Sequence, residues 1–198
     1  MKKLVFGSFA IVALVAACVP SVNPFYTDKD VITDSRLAGR WAEDKDKDKG
    51  QPVTWTFSAA TNSAYAVALV DDNGKTGQFT GHLFKLGDGL FLDLTPTECN
   101  YATNQADIVG NAMIPGHLLL RVGLEENKLN LAFCDPDWMK KFLEKNPSAI
   151  AHRTVDDCVI LTAETRALQK FVLKHLGKDE LFSDSGEYRR QATPAGAR

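Results

Sequence analysis

The sequence predicts a mainly antiparallel β domain with two α-helices in its C-terminal region. Two observations carry that expectation. Apolar residues alternate with period two through most of the stretch from residue 53 to 134, and turn signals interrupt the alternation at short intervals. Apolar residues fall on a 3.6-residue stripe only beyond residue 134.

The strands can be taken in order. Val53, Trp55 and Phe57 point one way, and Thr54, Thr56 and Ser58 the other. Tyr65, Val67 and Leu69 alternate with small residues up to Asp71-Asp72-Asn73-Gly74, whose Asn-Gly suits a hairpin turn needing positive φ. A long strand is expected from about Thr76 to Leu86, a turn at Gly87-Asp88-Gly89, and a return strand marked by Leu90, Leu92 and Leu94. Residues 95–105 read as a loop, and 106–114 fit neither pattern. Gly116 to Leu124 and Lys128 to Cys134 form another hairpin about Glu125-Glu126-Asn127. A meander of half-buried antiparallel strands is the kind of sheet that closes on itself.

The first helix is expected over 136–146. Asp135 caps it, Pro136 suits its first turn, and Trp138, Met139, Phe142 and Leu143 make its apolar face. A short hairpin turns at Asp156-Asp157, and a second helix is expected over 163–176, with Leu168, Phe171, Val172 and Leu176 on one stripe. The polar stretch 183–198 reads as a frayed, disordered tail.

The N-terminus speaks to location. Lys2 and Lys3 precede a fourteen-residue uncharged run, Leu4 to Ala17. That run is short of the roughly 20 residues of a membrane span and has the order of a secretory signal. Val15-Ala16-Ala17-Cys18 resembles the lipobox of bacterial lipoproteins. The resemblance implies that 1–17 is removed as a signal peptide and that Cys18 is lipidated, so the protein is held by its lipid at a cell-envelope membrane. Lipoproteins of that kind carry Asp after the lipidated Cys when retained at the inner membrane. Val19 therefore implies the outer membrane, facing the periplasm, in a Gram-negative host. Residues 18–34, with Pro20 and Pro24, read as an extended tether, and 35–182 as the domain. With Cys18 committed to lipid, Cys99, Cys134 and Cys158 leave two alternatives open: one disulfide plus a thiol, or three buried thiols.

Charge and motifs restrict function. Net charge is −2 with signs interleaved, which gives no basic stripe for nucleic acid. Asp44, Asp46 and Asp48 lack the Gly and Glu that a calcium loop needs, and their interleaved lysines suit a solvated hairpin loop. Gly74-Lys75-Thr76 has Leu69 where a phosphate loop needs Gly, and no G-x-S-x-G occurs. No catalytic residue, cofactor motif or metal-ligand spacing emerges among His82, His117, His152, His175 and the cysteines, so the expectation is a non-enzyme. His82 and His117 lie in strands that a closed sheet could bring near each other.

The segment Asp34 to Trp41 contains Gly39-Arg40-Trp41, which resembles the G-x-W motif opening the first strand of lipocalins and related calycin barrels. The resemblance implies a lipocalin-like meander barrel, with Gly39 and Trp41 structural and the Trp plugging the barrel base. Its eighth strand would have to come from the stretch around Ile108, and the second helix is an addition to the pattern. Asn23-Pro24-Phe25-Tyr26-Thr27-Asp28-Lys29-Asp30, the G-x-W and Asp135-Pro136-Asp137-Trp138 together are also similar to a widespread set of uncharacterised bacterial lipoproteins.

Two functions stay open. The barrel could hold a small apolar ligand, with His82, Lys85 or Arg121 as its polar contact. Alternatively Trp55, Phe57, Tyr65, Phe84 and Phe133 fill it, and the domain is a structural or interaction module whose partners are other envelope proteins.

Overall fold

The structure, a computed structural model, describes residues 18–44, 51–97, 115–177, 179–182 and 184–192. Its strands are β1 (Pro20–Ser21), β2 (Gly39–Glu43), β3 (Thr54–Phe57), β4 (Tyr65–Val70), β5 (Thr76–Leu86), β6 (Gly89–Pro96), β7 (His117–Leu124), β8 (Lys128–Phe133), β9 (His152–Val155), β10 (Cys158–Leu161) and β11 (Asp184–Arg190). The helices are α1 (Pro136–Lys145) and α2 (Thr165–His175). A 3-10 turn, Asp179–Phe182, precedes the last strand.

Strands β2 to β8 form an antiparallel meander that β11 completes, and pairing of β6 with β7 makes it a closed eight-stranded, lipocalin-like barrel. The expected hairpins are present. Val70 pairs with Thr76 across the Asn73-Gly74 turn, and Leu86 with Gly89 across Gly87-Asp88. In the β9–β10 hairpin Asp156 and Asp157 both take positive φ, 46° and 66°, as a two-residue primed turn requires.

Two sequence expectations are corrected. The stretch 183–198 is not a tail throughout: β11 pairs with β2 on one side and β8 on the other, so it is the eighth barrel strand. The stretch around Ile108 lies outside the described residues, as do Cys99 and 45–50. Nor do residues 18–34 form a tether. Pro20–Ser21 pairs with β7 and β10, Val19, Ser21 and Phe25 are buried, and Ile32 N–H donates to Leu83 O at 2.8 Å, beyond the Gly81 rung where the β4–β5 ladder ends.

Alternation along the strands separates two cores. Inside the barrel lie Trp41, Trp55, Phe57, Tyr65, Val67, Leu83, Leu92, Leu94, Leu120, Leu129 and Leu131, none more than 2 % exposed. The second core lies between the outer face of the sheet (Phe84, Phe91, Leu119) and a layer built from the N-terminal segment, β10, α1 and α2. Phe84 therefore belongs to the outer core and not to the barrel filling. Helix α1 begins as expected, with Trp138 N–H donating to the Asp135 carboxylate at 2.8 Å.

The barrel base is sealed by residues far apart in sequence. Trp41 is fully buried and its indole N–H donates to Leu37 O at 2.9 Å. The Arg190 guanidinium lies 4.2 Å from the ring centroid and donates to the carbonyls of Ala38 (2.9 Å), Glu126 (3.0 Å) and Arg36. Trp41 is thus a plug, and Arg190 from β11 holds it. Gly39, at φ 134°, leaves room for the same guanidinium, since a Cβ there would stand 2.7 Å from Arg190 Nη1.

Candidate functional site

A buried carboxylate needs partners, because an isolated charge out of water costs several kcal/mol. Asp93 of β6 is fully buried on the outer face of the barrel. Its Oδ2 accepts from Phe25 N–H at 2.9 Å, and its Oδ1 lies 2.7 Å from His117 Nδ1. An ionised carboxylate only accepts, so this pairing puts a proton on Nδ1. Thr95 Oγ1 stands 3.1 Å from the same nitrogen. On the other side of β6, His82 pairs in register with Asp93; it stacks on Tyr26 with ring centroids 4.5 Å apart, and the Tyr26 hydroxyl is 3.0 Å from His82 Nδ1.

The register explains the cluster. His82, Asp93 and Leu119 lie across adjacent strands on one face, and Ser21 of β1 pairs with His117. The N-terminal segment then covers the group, so Phe25 and Tyr26 fasten onto it.

Electrostatics follow burial. Desolvation lowers the His82 pKa from its ordinary value, assisted by His117 and opposed by Asp93 and Asp28. Burial raises the Tyr26 phenol, and Asp93 and Asp28 push it the same way. Burial also tends to raise Asp30, but hydrogen bonds from Thr27 and Gln169 outweigh it and hold that carboxyl below its ordinary value. Gln169 Nε2 donates both to Asp30 Oδ2 (2.8 Å) and to Phe25 O (3.1 Å), tying the segment to α2.

The residues named from sequence are only partly assembled. His82 and His117 do converge, but on the outer face around Asp93, so His82 is not a contact inside the barrel. Arg121 shares the outer parity with His117 and Leu119 and is exposed, so it too stands outside. Lys85 follows Leu83 on the inner parity but is exposed near the end of β5. Asp93 was missed, although a lone acid between Leu92 and Leu94, with a histidine in each neighbouring strand, was a readable signal. Phe25 and Tyr26, quoted above only within a motif, gave no sign of meeting this cluster, because their segment has no periodicity.

The cluster holds its elements together more readily than it could relay a proton. A hydroxyl–imidazole–carboxylate relay needs its end groups on opposite ring nitrogens. Here Thr95 and Asp93 meet the same Nδ1.

Cys18 is half-buried, and its neighbour Val19 belongs to the same buried cluster as Cys134. Burial raises the Cys134 thiol pKa, with Asp135 and Cys18 adding to the effect, which makes it a poor nucleophile. Cys134 and Cys158 are free thiols, and any pairing that involves Cys99 lies outside the described residues. No protein-family model, curated protein or solved structure matches the chain.

Proposed function

We propose that this is a lipid-anchored, non-enzymatic cell-envelope protein, acylated at Cys18, whose barrel is a filled scaffold acting through its surface in envelope assembly or maintenance. The observation that carries the choice of scaffold over carrier is the barrel interior. Large side chains meet there with almost no exposure, and a Cβ on Gly81 would lie 2.9 Å from Val67 Cγ2, 3.2 Å from Leu94 Cδ2 and 3.3 Å from Leu92 Cδ1. Packing of that density around β5 resembles a protein interior more than an empty cup. The anchor rests on the lipobox-like Val15 to Cys18.

One observation favours the carrier reading. Trp55 Nε1 is buried inside the barrel without a hydrogen-bond partner among the described residues. A buried orphan donor costs about 1–3 kcal/mol, and a ligand with an acceptor at its inner end would satisfy it.

The test is native mass spectrometry of the domain starting after Cys18, purified from an exporting host, together with fractionation of the full chain. The scaffold reading expects a bare mass and no thermal shift with added fatty acid. A stoichiometric lipid adduct that Trp55→Phe removes would replace it with the carrier reading. Cys18→Ser should release the full chain from membranes and stop acyl labelling; unchanged acyl labelling would refute the anchor.

A further inference from the structure

We infer that the α1–α2 layer is the face that lies on the bilayer, with Trp138 and Phe142 at the headgroup boundary and the helix lysines against anionic lipid. The inference rests on the proposed acylation of Cys18 and adds to it an orientation and a lipid preference.

The position of the anchor comes first. A flexible linker would let the domain tumble on its membrane, but the chain after Cys18 has no slack. Val19 is 2 % exposed, Pro20 pairs with Leu118 of β7, and Ser21 pairs with β7 on one side and β10 on the other. Val19, the residue after Cys18, lies in the same buried cluster as Met139 of α1 and Cys134, whose successor Asp135 caps α1. Acyl chains leaving Cys18 therefore start on the side of the barrel that the α1–α2 layer covers. The membrane they enter must meet the molecule on that side.

That side carries matching chemistry. Trp138 and Phe142, one turn apart, stack with centroids 4.9 Å apart and planes 12° from parallel. Both rest on His175 of α2, at 5.4 and 4.8 Å, and both are only half-buried. An aromatic pair packed on one side and open on the other suits a boundary between apolar and wet surroundings. Around it stand exposed cations. Lys141 and Lys145 follow Trp138 at three and seven residues, and Lys174 follows Phe171 at three, positions that share a helix face. Helix α2 carries Arg166, Lys170 and Lys174 and no acid, while α1 sets Asp137 and Glu144 against three lysines. Among the described residues, Lys140 is the one of these in an ion pair, with Asp157 at 2.8 Å. Each lysine brought to an anionic surface favours attachment by about fivefold, that being roughly 1 kcal/mol. Amphipathic helices with a basic polar face use this combination to lie in the interface plane.

The molecule supplies its own probe. Of its three tryptophans, Trp41 and Trp55 are sealed in the barrel at 0 % and 2 % exposure, so a quencher in the lipid can reach only Trp138. The full acylated chain is reconstituted into phosphatidylethanolamine vesicles, with and without phosphatidylglycerol, that contain phosphatidylcholine brominated near the headgroup. Intact mass gives the state of Cys18. The expected result is quenching that Trp138→Phe abolishes. Removing phosphatidylglycerol, or the exposed double change Lys170→Glu/Lys174→Glu, should lower it at least about twofold. Acylated, vesicle-bound protein without quenching would overturn the orientation and leave the anchor standing. Quenching that persists in Trp138→Phe would overturn it equally. A chain without acyl mass would remove the anchor, and the orientation with it.

Discussion

Arg190→Ala should destabilise the protein by about 3 kcal/mol, although the residue lies in a stretch whose sequence reads as a tail. The figure is built from the contacts of one guanidinium. It donates to the carbonyls of Ala38, Glu126 and Arg36, and it covers the Trp41 ring at 4.2 Å. Hydrogen bonds from a charged group are worth about 1.5–3 kcal/mol each when protected. Two of the three acceptors here are open to water, which reduces each to about 0.5–1 kcal/mol. The cation–π contact adds about 1 kcal/mol. Arg190→Lys keeps the charge over the ring but loses the planar fork, so about half of the loss should remain. Urea unfolding followed by tryptophan emission is the assay. With a slope of about 2 kcal/mol per molar, the alanine variant's midpoint should fall by about 1.5 M. A loss below about 0.5 kcal/mol, the range of ordinary surface substitutions, would show that Arg190 does not hold the Trp41 plug.

Two further predictions concern the outer-face cluster. Asp93→Ala leaves Phe25 N–H buried without its acceptor and half-buried His117 Nδ1 with only Thr95 Oγ1, so it should cost about 2–4 kcal/mol; amide exchange should accelerate first over Phe25 to Asp30, and uniform acceleration across the barrel would contradict a local clasp. Because burial depresses the His82 pKa in the folded state, the unfolded chain binds the proton more readily. Stability contributed by His82 is therefore complete above its ordinary value near 6.5 and falls as the pH drops through and below it. Denaturation midpoints of wild type and His82→Gln between about pH 5 and 8 should diverge in slope on the acid side, and parallel profiles would refute the assignment.

The meander was legible because most of its strands bury one face more fully than the other. β5 was expected from Thr76 to Leu86 and occupies those residues. The same strand shows why His82 was placed wrongly. Near its end both faces are apolar, Leu83 inward and Phe84 and Leu86 outward under the helical layer, so alternation no longer tells inside from outside. β11 was illegible for a different reason. Of its residues only Tyr188 contributes an apolar side chain to the barrel; the rest of its place comes from backbone pairing with β2 and β8, which leaves little trace in composition. The N-terminal segment reads as a tether because Val19 and Phe25 bury themselves singly, without a repeat. Of the candidate site, the histidine pair was readable as a pair, but Asp93 between them became visible only through strand register.

The place of β11 also decides when this chain can fold. A ribosome delivers β2 well before β11, yet the two are neighbours in the closed sheet, with Trp41 opposite Arg190. Until the final strand emerges, β2 and β8 are unpaired edges and Trp41 lacks its cover. Loop closure over so long a span carries a high entropic cost, and pairings of that separation slow folding. A nascent chain therefore holds a wide, apolar, half-built sheet until β11 emerges and needs protection from aggregation up to that point. The same topology makes truncation ahead of β11 unforgiving: a chain stopped there lacks the seam strand between β2 and β8 and leaves no barrel to close.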